Sequence, residues 1–116
     1  MKIVPVVLVG LLISLFFSVH PAMAIPQKLS ESSIRSQISL IPDWTLEGQT
    51  LKRTFKFNNF VEAIAFVNKL VNPAEKLGHH PDILIIYNRV TITLSTHDAG
   101  GLTQLDFDLA EIIGDL

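Results

Sequence analysis

The chain has 116 residues, 48% of them hydrophobic, no cysteine and a formal charge of −2. That length suits one small domain and excludes a multidomain enzyme. The absence of cysteine excludes disulfide staples and thiolate chemistry, and the mild acidity offers no clustered basic face for direct nucleic-acid binding.

Residues 1–24 differ from the rest. Lys2 is their single charge, and an apolar run from Ile3 to Val19 is broken only by Pro5, Gly10 and two serines. Ala22 and Ala24 form an A-x-A pattern after it. A positive start, an apolar middle and small residues at the end predict a secretory signal peptide, cleaved after Ala24. The competing reading is an uncleaved anchor, but Val4 to Val19 is short for a span of about 20 residues. The expectation is export (periplasmic, luminal or secreted) of residues 25–116, with no stable membrane association once the signal is cleaved. Loss of Lys2 leaves 8 basic and 11 acidic residues, a net charge of −3.

The remaining elements follow in order. Ile25 to Leu29 reads as a frayed leader. Ser30 is a fitting N-cap, Glu31 suits the positive helix end, and Ile34, Ile38 and Ile41 recur at helical spacing. Pro42 ends that helix, because the residue before a proline avoids helical geometry. Trp44–Leu46 and Leu51–Phe57 read as a hairpin turned at Gly48. Arg53 falls on its apolar face, where it either snorkels to the rim or meets a ligand.

A second helix starts at Asn59, with Glu62 placed for a capping box. Phe60, Ile64, Val67, Val71 and Ala74 supply its expected core stripe. Pro73 predicts a kink or restart near Asn72, and Gly78 a C-cap. Ile83–Ile86 is apolar on both faces, which suits a strand buried on both sides or covered by a second subunit. Tyr87-Asn88 reads as a tight turn in which Asn takes the left-handed conformation. Val90 to Ser95 alternates cleanly, with Val90, Ile92 and Leu94 inward. Asp98 to Gly101 is a loop, Thr103 caps a last helix, and Leu105, Leu109, Ile112 and Leu116 form its stripe. The fold class predicted is α+β, in the order α-β-β-α-β-β-α, a four-stranded antiparallel sheet with helices packed on one face.

The chemistry concentrates in histidine. Outside residues 1–24 the chain has three, His79, His80 and His97. Imidazole both takes and gives a proton near neutral pH, so three around one cleft point to proton transfer. His79 and His80 also have a bland reading, as caps on the last helix carbonyls. Adjacent histidines on an extended segment point to opposite faces and chelate one ion poorly, so a zinc site is a distant alternative and no metal is expected. Glu75, four residues before His79, either orients an imidazole or is a surface residue of the last helical turn. Asp106 sits at the third position after Thr103, where a capping box alone would explain it.

These residues together resemble a known family. Glu75-Lys76-Leu77-Gly78-His79-His80-Pro81-Asp82, Tyr87-Asn88-Arg89-Val90, Leu94-Ser95-Thr96-His97 and Gly101-Leu102-Thr103 with Asp106 resemble pterin-4a-carbinolamine dehydratase. The likeness runs through Trp44, the hairpin and the Phe60–Val67 segment, and covers residues 28–116. It implies dehydration of 4a-hydroxytetrahydrobiopterin to quinonoid dihydrobiopterin, without metal or cofactor. It implies a homodimer or homotetramer built through sheet edges and helices. It implies catalytic roles for His79, His80 and His97, and a pterin site that includes Glu75, Pro81, Asp82, Ser95, Thr96 and Asp106. Two departures stand out: Ile83 replaces a frequent aromatic residue, and family members usually stay inside the cell. Some members act as protein partners, notably as a dimerisation cofactor of a transcription factor, so a non-catalytic binding or assembly module is the rival reading.

Overall fold

The computed structural model describes residues 25–116 together with Phe17 and Ser18. The predicted signal segment otherwise lies outside the described residues. Helix α1 (Glu31–Ile38) is followed by strands β1 (Thr45–Glu47) and β2 (Thr50–Lys56) and by the long helix α2 (Phe60–Leu77). Strands β3 (Asp82–Ile86) and β4 (Arg89–Leu94), a 3-10 turn at His97–Ala99 and helix α3 (Gln104–Gly114) complete the domain. The sheet is four-stranded and antiparallel throughout, in the order β1-β2-β4-β3. The α+β expectation is met. Among the described residues no helix is long and apolar enough to cross a membrane.

Local chemistry sets the element ends. Ser30 Oγ accepts from the Ser33 amide and starts α1. The Asn59 side chain accepts from the Glu62 amide and starts α2, while Glu62 reaches back to the Asn58 amide. Gly48 takes φ +58° and turns the first hairpin. In the second hairpin Tyr87, rather than Asn88, takes the left-handed conformation, at φ +50°. Asn88 is held because its side-chain amide donates to the Phe57 carbonyl and its own carbonyl accepts from the Phe57 amide.

Register assigns the faces. Leu51 lies opposite Leu94, Phe55 opposite Val90 and Ile83 opposite Ile92, so these point to the helices. Lys52, Thr54 and Lys56 oppose Thr93, Thr91 and Arg89 on the other face. Leu51, Val90, Ile92 and Leu94 are fully buried. Trp44 meets the edge of Phe55, and Phe66 of α2 packs on Phe55 and Phe57 at 4.6 and 5.1 Å between ring centres. Arg53 snorkels: its guanidinium lies 4.3 Å over the Phe55 ring and reaches Asp43 at 3.5 Å.

Both long helices bury only part of the stripe that periodicity suggests: Ala74 of α2 and Leu109 of α3 are buried and Val67 packs against the core, but the inward face is shifted from the expected one. In α2 the buried residues are Ala63, Phe66, Leu70 and Ala74, whereas Phe60 is 51% and Val71 59% exposed. In α3 they are Asp106, Phe107, Leu109, Ala110 and Ile113, whereas Ile112 and Leu116 are exposed. Each helix carries two overlapping apolar stripes, and small alanines on the chosen side let it approach the sheet. Helix α2 also runs unbroken through Pro73. The carbonyl that loses its donor belongs to Lys69, an exposed residue, so water can satisfy it and no restart is needed. Strand β3 is an edge strand with Ile83, Leu84 and Ile86 exposed, rather than a strand covered on both sides within the chain.

Candidate active site

The site begins where α2 ends. Gly78 takes φ +59°, its amide bonds to the Glu75 carbonyl, and the His79 amide bonds back to the Ala74 carbonyl at 3.1 Å. This is a Schellman ending, and it turns the chain sharply. Pro81 follows, so His79 and His80 sit on a short extended segment clamped at both ends. Their side chains take opposite directions.

His79 turns inward and is 8% exposed. Its Nε2–H donates to Asp106 Oδ1 at 2.6 Å. Asp106, in the first turn of α3, is fully buried. A buried carboxylate is costly unless its oxygens are satisfied. Its second oxygen accepts from the Thr96 hydroxyl and from the Thr103 amide, both at 2.8 Å. Thr96 spends its one hydroxyl proton on Asp106, so in the 2.8 Å Thr96–Thr103 contact Thr103 is the donor. The relay therefore runs in one direction, from Thr103 to Thr96 to Asp106, and it orients the imidazole. The capping role and the imidazole-orienting role of Asp106 are both real.

The other ring nitrogen completes the picture. Among the described residues His79 Nδ1 makes no hydrogen bond, and no buried side-chain polar atom lacks a partner. Nδ1 therefore reaches solvent. His79 lines a cavity of about 780 Å³ together with Thr96, Asp98, Thr103, Gln104 and Leu105, with the leader residues Ile25, Pro26, Gln27 and Leu29 on another side. That volume is typical of small-molecule sites. A histidine with one nitrogen held by a buried carboxylate and the other open to a cavity is set to exchange a proton there.

His80 turns outward. Its Nε2–H donates to Glu75 Oε1 at 2.6 Å, with both side chains about two-thirds exposed. Beside it lies a smaller, apolar cavity of about 180 Å³ lined by Val67, Leu70, Val71, Pro81 and Ile83. His97 begins the 3-10 turn and is exposed, and its side chain lines neither cavity, although its neighbours Thr96 and Asp98 line the larger one. Ser95 is half-buried after β4 and Asp82 is exposed at the start of β3; neither lines either of these two cavities. The structure thus brings His79, Thr96 and Asp106 together, groups His80, Glu75 and Pro81 separately, and leaves His97, Ser95 and Asp82 apart from both. Sequence reasoning missed Asp98, Gln104 and the leader, because loop residues reach a cavity only once the chain ends are packed.

Known proteins resemble the chain closely. The family model for pterin 4 alpha carbinolamine dehydratase matches residues 27–116. A protein of Cyanothece sp. provisionally named pterin-4-alpha-carbinolamine dehydratase is 62% identical over 90 residues, covering 78% of this chain and 93% of its own length. One of Chloroflexus aurantiacus with the same provisional name is 53% identical over 89 residues, covering 77% and 96%. The crystal structure of a transcriptional coactivator/pterin dehydratase from Brucella melitensis superposes with a TM-score of 0.72 at 35% identity, covering 77% of this chain and 97% of that one. A pterin dehydratase-like RuBisCO assembly factor of the alpha-carboxysome shares the fold, at 23% identity and a TM-score of 0.50 over 62% of this chain and 83% of that one. With most of its length matched at such identity, the chain belongs to the pterin-4-alpha-carbinolamine dehydratase family.

Proposed function

We propose that the protein dehydrates 4a-hydroxytetrahydrobiopterin to quinonoid dihydrobiopterin by histidine acid–base catalysis. The observation that carries this reading is the His79–Asp106 pair opening onto a cavity of ligand size. In the reaction the C4a–O bond breaks as the hydroxyl takes a proton and leaves as water. The ring gives up one N–H proton, so the sum is loss of one water. His79 Nδ1 is the group best placed for one of these transfers, with Asp106 holding the ring still while it acts. His80 with Glu75, and His97, are the other proposed acid–base groups. Glu75, Pro81, Asp82, Ser95 and Thr96 are proposed to contact the pterin. The reading requires that His97, on its exposed turn, and His80 approach a bound pterin from outside the cavity.

The deciding experiment is the dehydration of chemically prepared 4a-hydroxytetrahydropterin by purified residues 25–116, followed by absorbance beside His79→Ala. Acceleration by the wild type and not by the variant supports the reading. A wild type no faster than buffer overturns it. The matched relatives are little longer than this domain, so residues 25–116 suffice for the test.

A homo-oligomer is part of the proposal. Among the described residues strand β3, five residues long, leaves one edge unpaired and exposes Ile83, Leu84 and Ile86, and an apolar edge left open invites pairing with another strand. A second copy pairing antiparallel at β3 would cover it. The rival reading, a non-catalytic binding or assembly module, draws on the same surface. It predicts that histidine variants leave the biological role unchanged. We also propose export by residues 1–24, which a reporter fused after Ala24 tests by its compartment.

A further inference from the structure

Asp106 has more hydrogen-bond donors than a helix cap requires. In a capping box the acid needs only the N-cap amide, here that of Thr103. The Thr96 hydroxyl is an additional donor from the loop after β4, and it reaches the same oxygen, Oδ2, at 2.8 Å. The segment after α2, the loop after β4 and the start of α3 thus meet at one carboxylate, through His79, Thr96 and Thr103. Thr96 is itself fixed. Its amide donates to the Gly101 carbonyl at 3.1 Å, and its carbonyl accepts from the Ala99 amide at 3.1 Å and the Gly101 amide at 3.4 Å. It is buried, at 7% exposed.

These bonds decide where the protons sit. A backbone amide only donates, so the Thr103 N–H occupies Oδ2, and the Thr96 hydroxyl proton occupies it as well. Oδ2 therefore carries no proton of its own. Its two bonds fix the plane of the carboxylate and keep Oδ1 toward His79. A bare nitrogen and a bare oxygen do not stand 2.6 Å apart without a proton between them, so Nε2 carries a hydrogen and donates it. With that proton used inward, the lone pair of a neutral His79 lies on Nδ1, which makes no hydrogen bond among the described residues. His80 has no such clamp. Its Nε2 meets an exposed Glu75 oxygen, where water competes for the same bond.

We propose that Thr96 is a positioning residue: its hydroxyl locks Asp106 and, through Asp106, holds His79 in the Nε2–H tautomer, so that the proton His79 exchanges is the one on Nδ1. The tautomer stands on the geometry alone, and its part in turnover rests on the dehydratase reading. This task is separate from the pterin contact proposed for Thr96. Without the hydroxyl, Asp106 Oδ2 keeps a single donor, the carboxylate is free to turn, and the imidazole loses its fixed orientation. Such a loss falls on kcat rather than KM, because it changes how His79 is presented and leaves the shape of the cavity wall in place.

The test compares residues 25–116 as wild type, Thr96→Val, Thr96→Ser and Thr103→Val, each checked by thermal melting. Nitrogen NMR of histidine-labelled protein is recorded at about pH 9, above the ordinary imidazole range. Wild-type His79 should carry hydrogen on Nε2 alone, exchanging with water more slowly than that of His80. Thr96→Val should speed this exchange about tenfold, the worth of one hydrogen bond, and Thr96→Ser should restore it. In the dehydration assay Thr96→Val should lower kcat about ten- to hundredfold with KM within about twofold, and Thr96→Ser should recover most of the rate. Thr103→Val keeps both donors on Oδ2 and should cost less than about threefold. A wild-type His79 with its hydrogen on Nδ1 overturns the proposal, even where Thr96→Val fails to fold. A folded Thr96→Val with wild-type exchange and kcat overturns it too, as does a loss in Thr103→Val as large as that in Thr96→Val. The expected spectra in proteins that dehydrate nothing support the clamp and overturn the dehydratase reading alone.

Discussion

His79 and His80 are joined by one peptide bond and occupy opposite surroundings. His79 is enclosed, and its carboxylate partner is fully buried and held by two further hydrogen bonds. His80 pairs with Glu75 at the same 2.6 Å, but both groups face water. Equal distances therefore do not mean equal strength. The buried pair sits in a low dielectric, and loss of one partner leaves costly unsatisfied groups. The exposed pair is screened, and its geometry is worth little until something covers it. The difference separates two tasks. The His79 side is preorganised by the fold, whereas the His80 side is left open to water.

The comparison breaks or sharpens under substitution, with the largest effect expected at Asp106. Asp106→Ala removes the acceptor of three hydrogen bonds in the core. It should destabilise the domain by about 3–5 kcal/mol and abolish activity together. Urea melts and the dehydration assay on one preparation test this; a variant as stable as the wild type would break the idea that this network anchors α3. His79→Ala comes next. It should lower kcat by about 10²–10⁴-fold, the usual contribution of an acid–base group, with a smaller loss of stability.

His80→Ala sharpens the contrast. The rate should fall by about 10²-fold while the urea midpoint stays within experimental error, since an exposed side chain holds little of the fold together. A destabilisation as large as that of His79→Ala would erase the distinction between the two sides. Glu75→Gln, which keeps a hydrogen-bond acceptor for His80, should cost only a few-fold in rate. The smallest catalytic effect is expected from Ile86→Lys. Ile86 is 62% exposed on the edge strand, so a charge there should leave the folded chain intact and shift its mass toward the monomer in light scattering. An unchanged mass would direct attention away from the β3 edge.

Much of this molecule was legible before its structure. The caps at Ser30, Asn59 and Gly78 are short-range chemistry, in which a side chain or a glycine answers backbone groups within a few residues, and each lies where the sequence places it. The alternation in β4 is equally local, and Val90, Ile92 and Leu94 are buried as expected. The α2 stripe was legible only in part: Ala74 is buried and Val67 packs on the core as expected, but Phe60, Ile64 and Val71 repeat at the same period as Ala63, Phe66 and Leu70, which are the ones enclosed. Nor was the split between His79 and His80, although their opposite directions follow from extended backbone.

Sequence alone determined the element order, the turns, the caps and the short list of titratable side chains, because these depend on neighbours within one or two turns of the chain. Only the tertiary structure decided which helix face is inside, that Asp106 reaches back 27 residues to His79, and that the leader walls the same cavity. Those outcomes depend on which surfaces fit when the helices close on the sheet, and packing of that kind has no local signature.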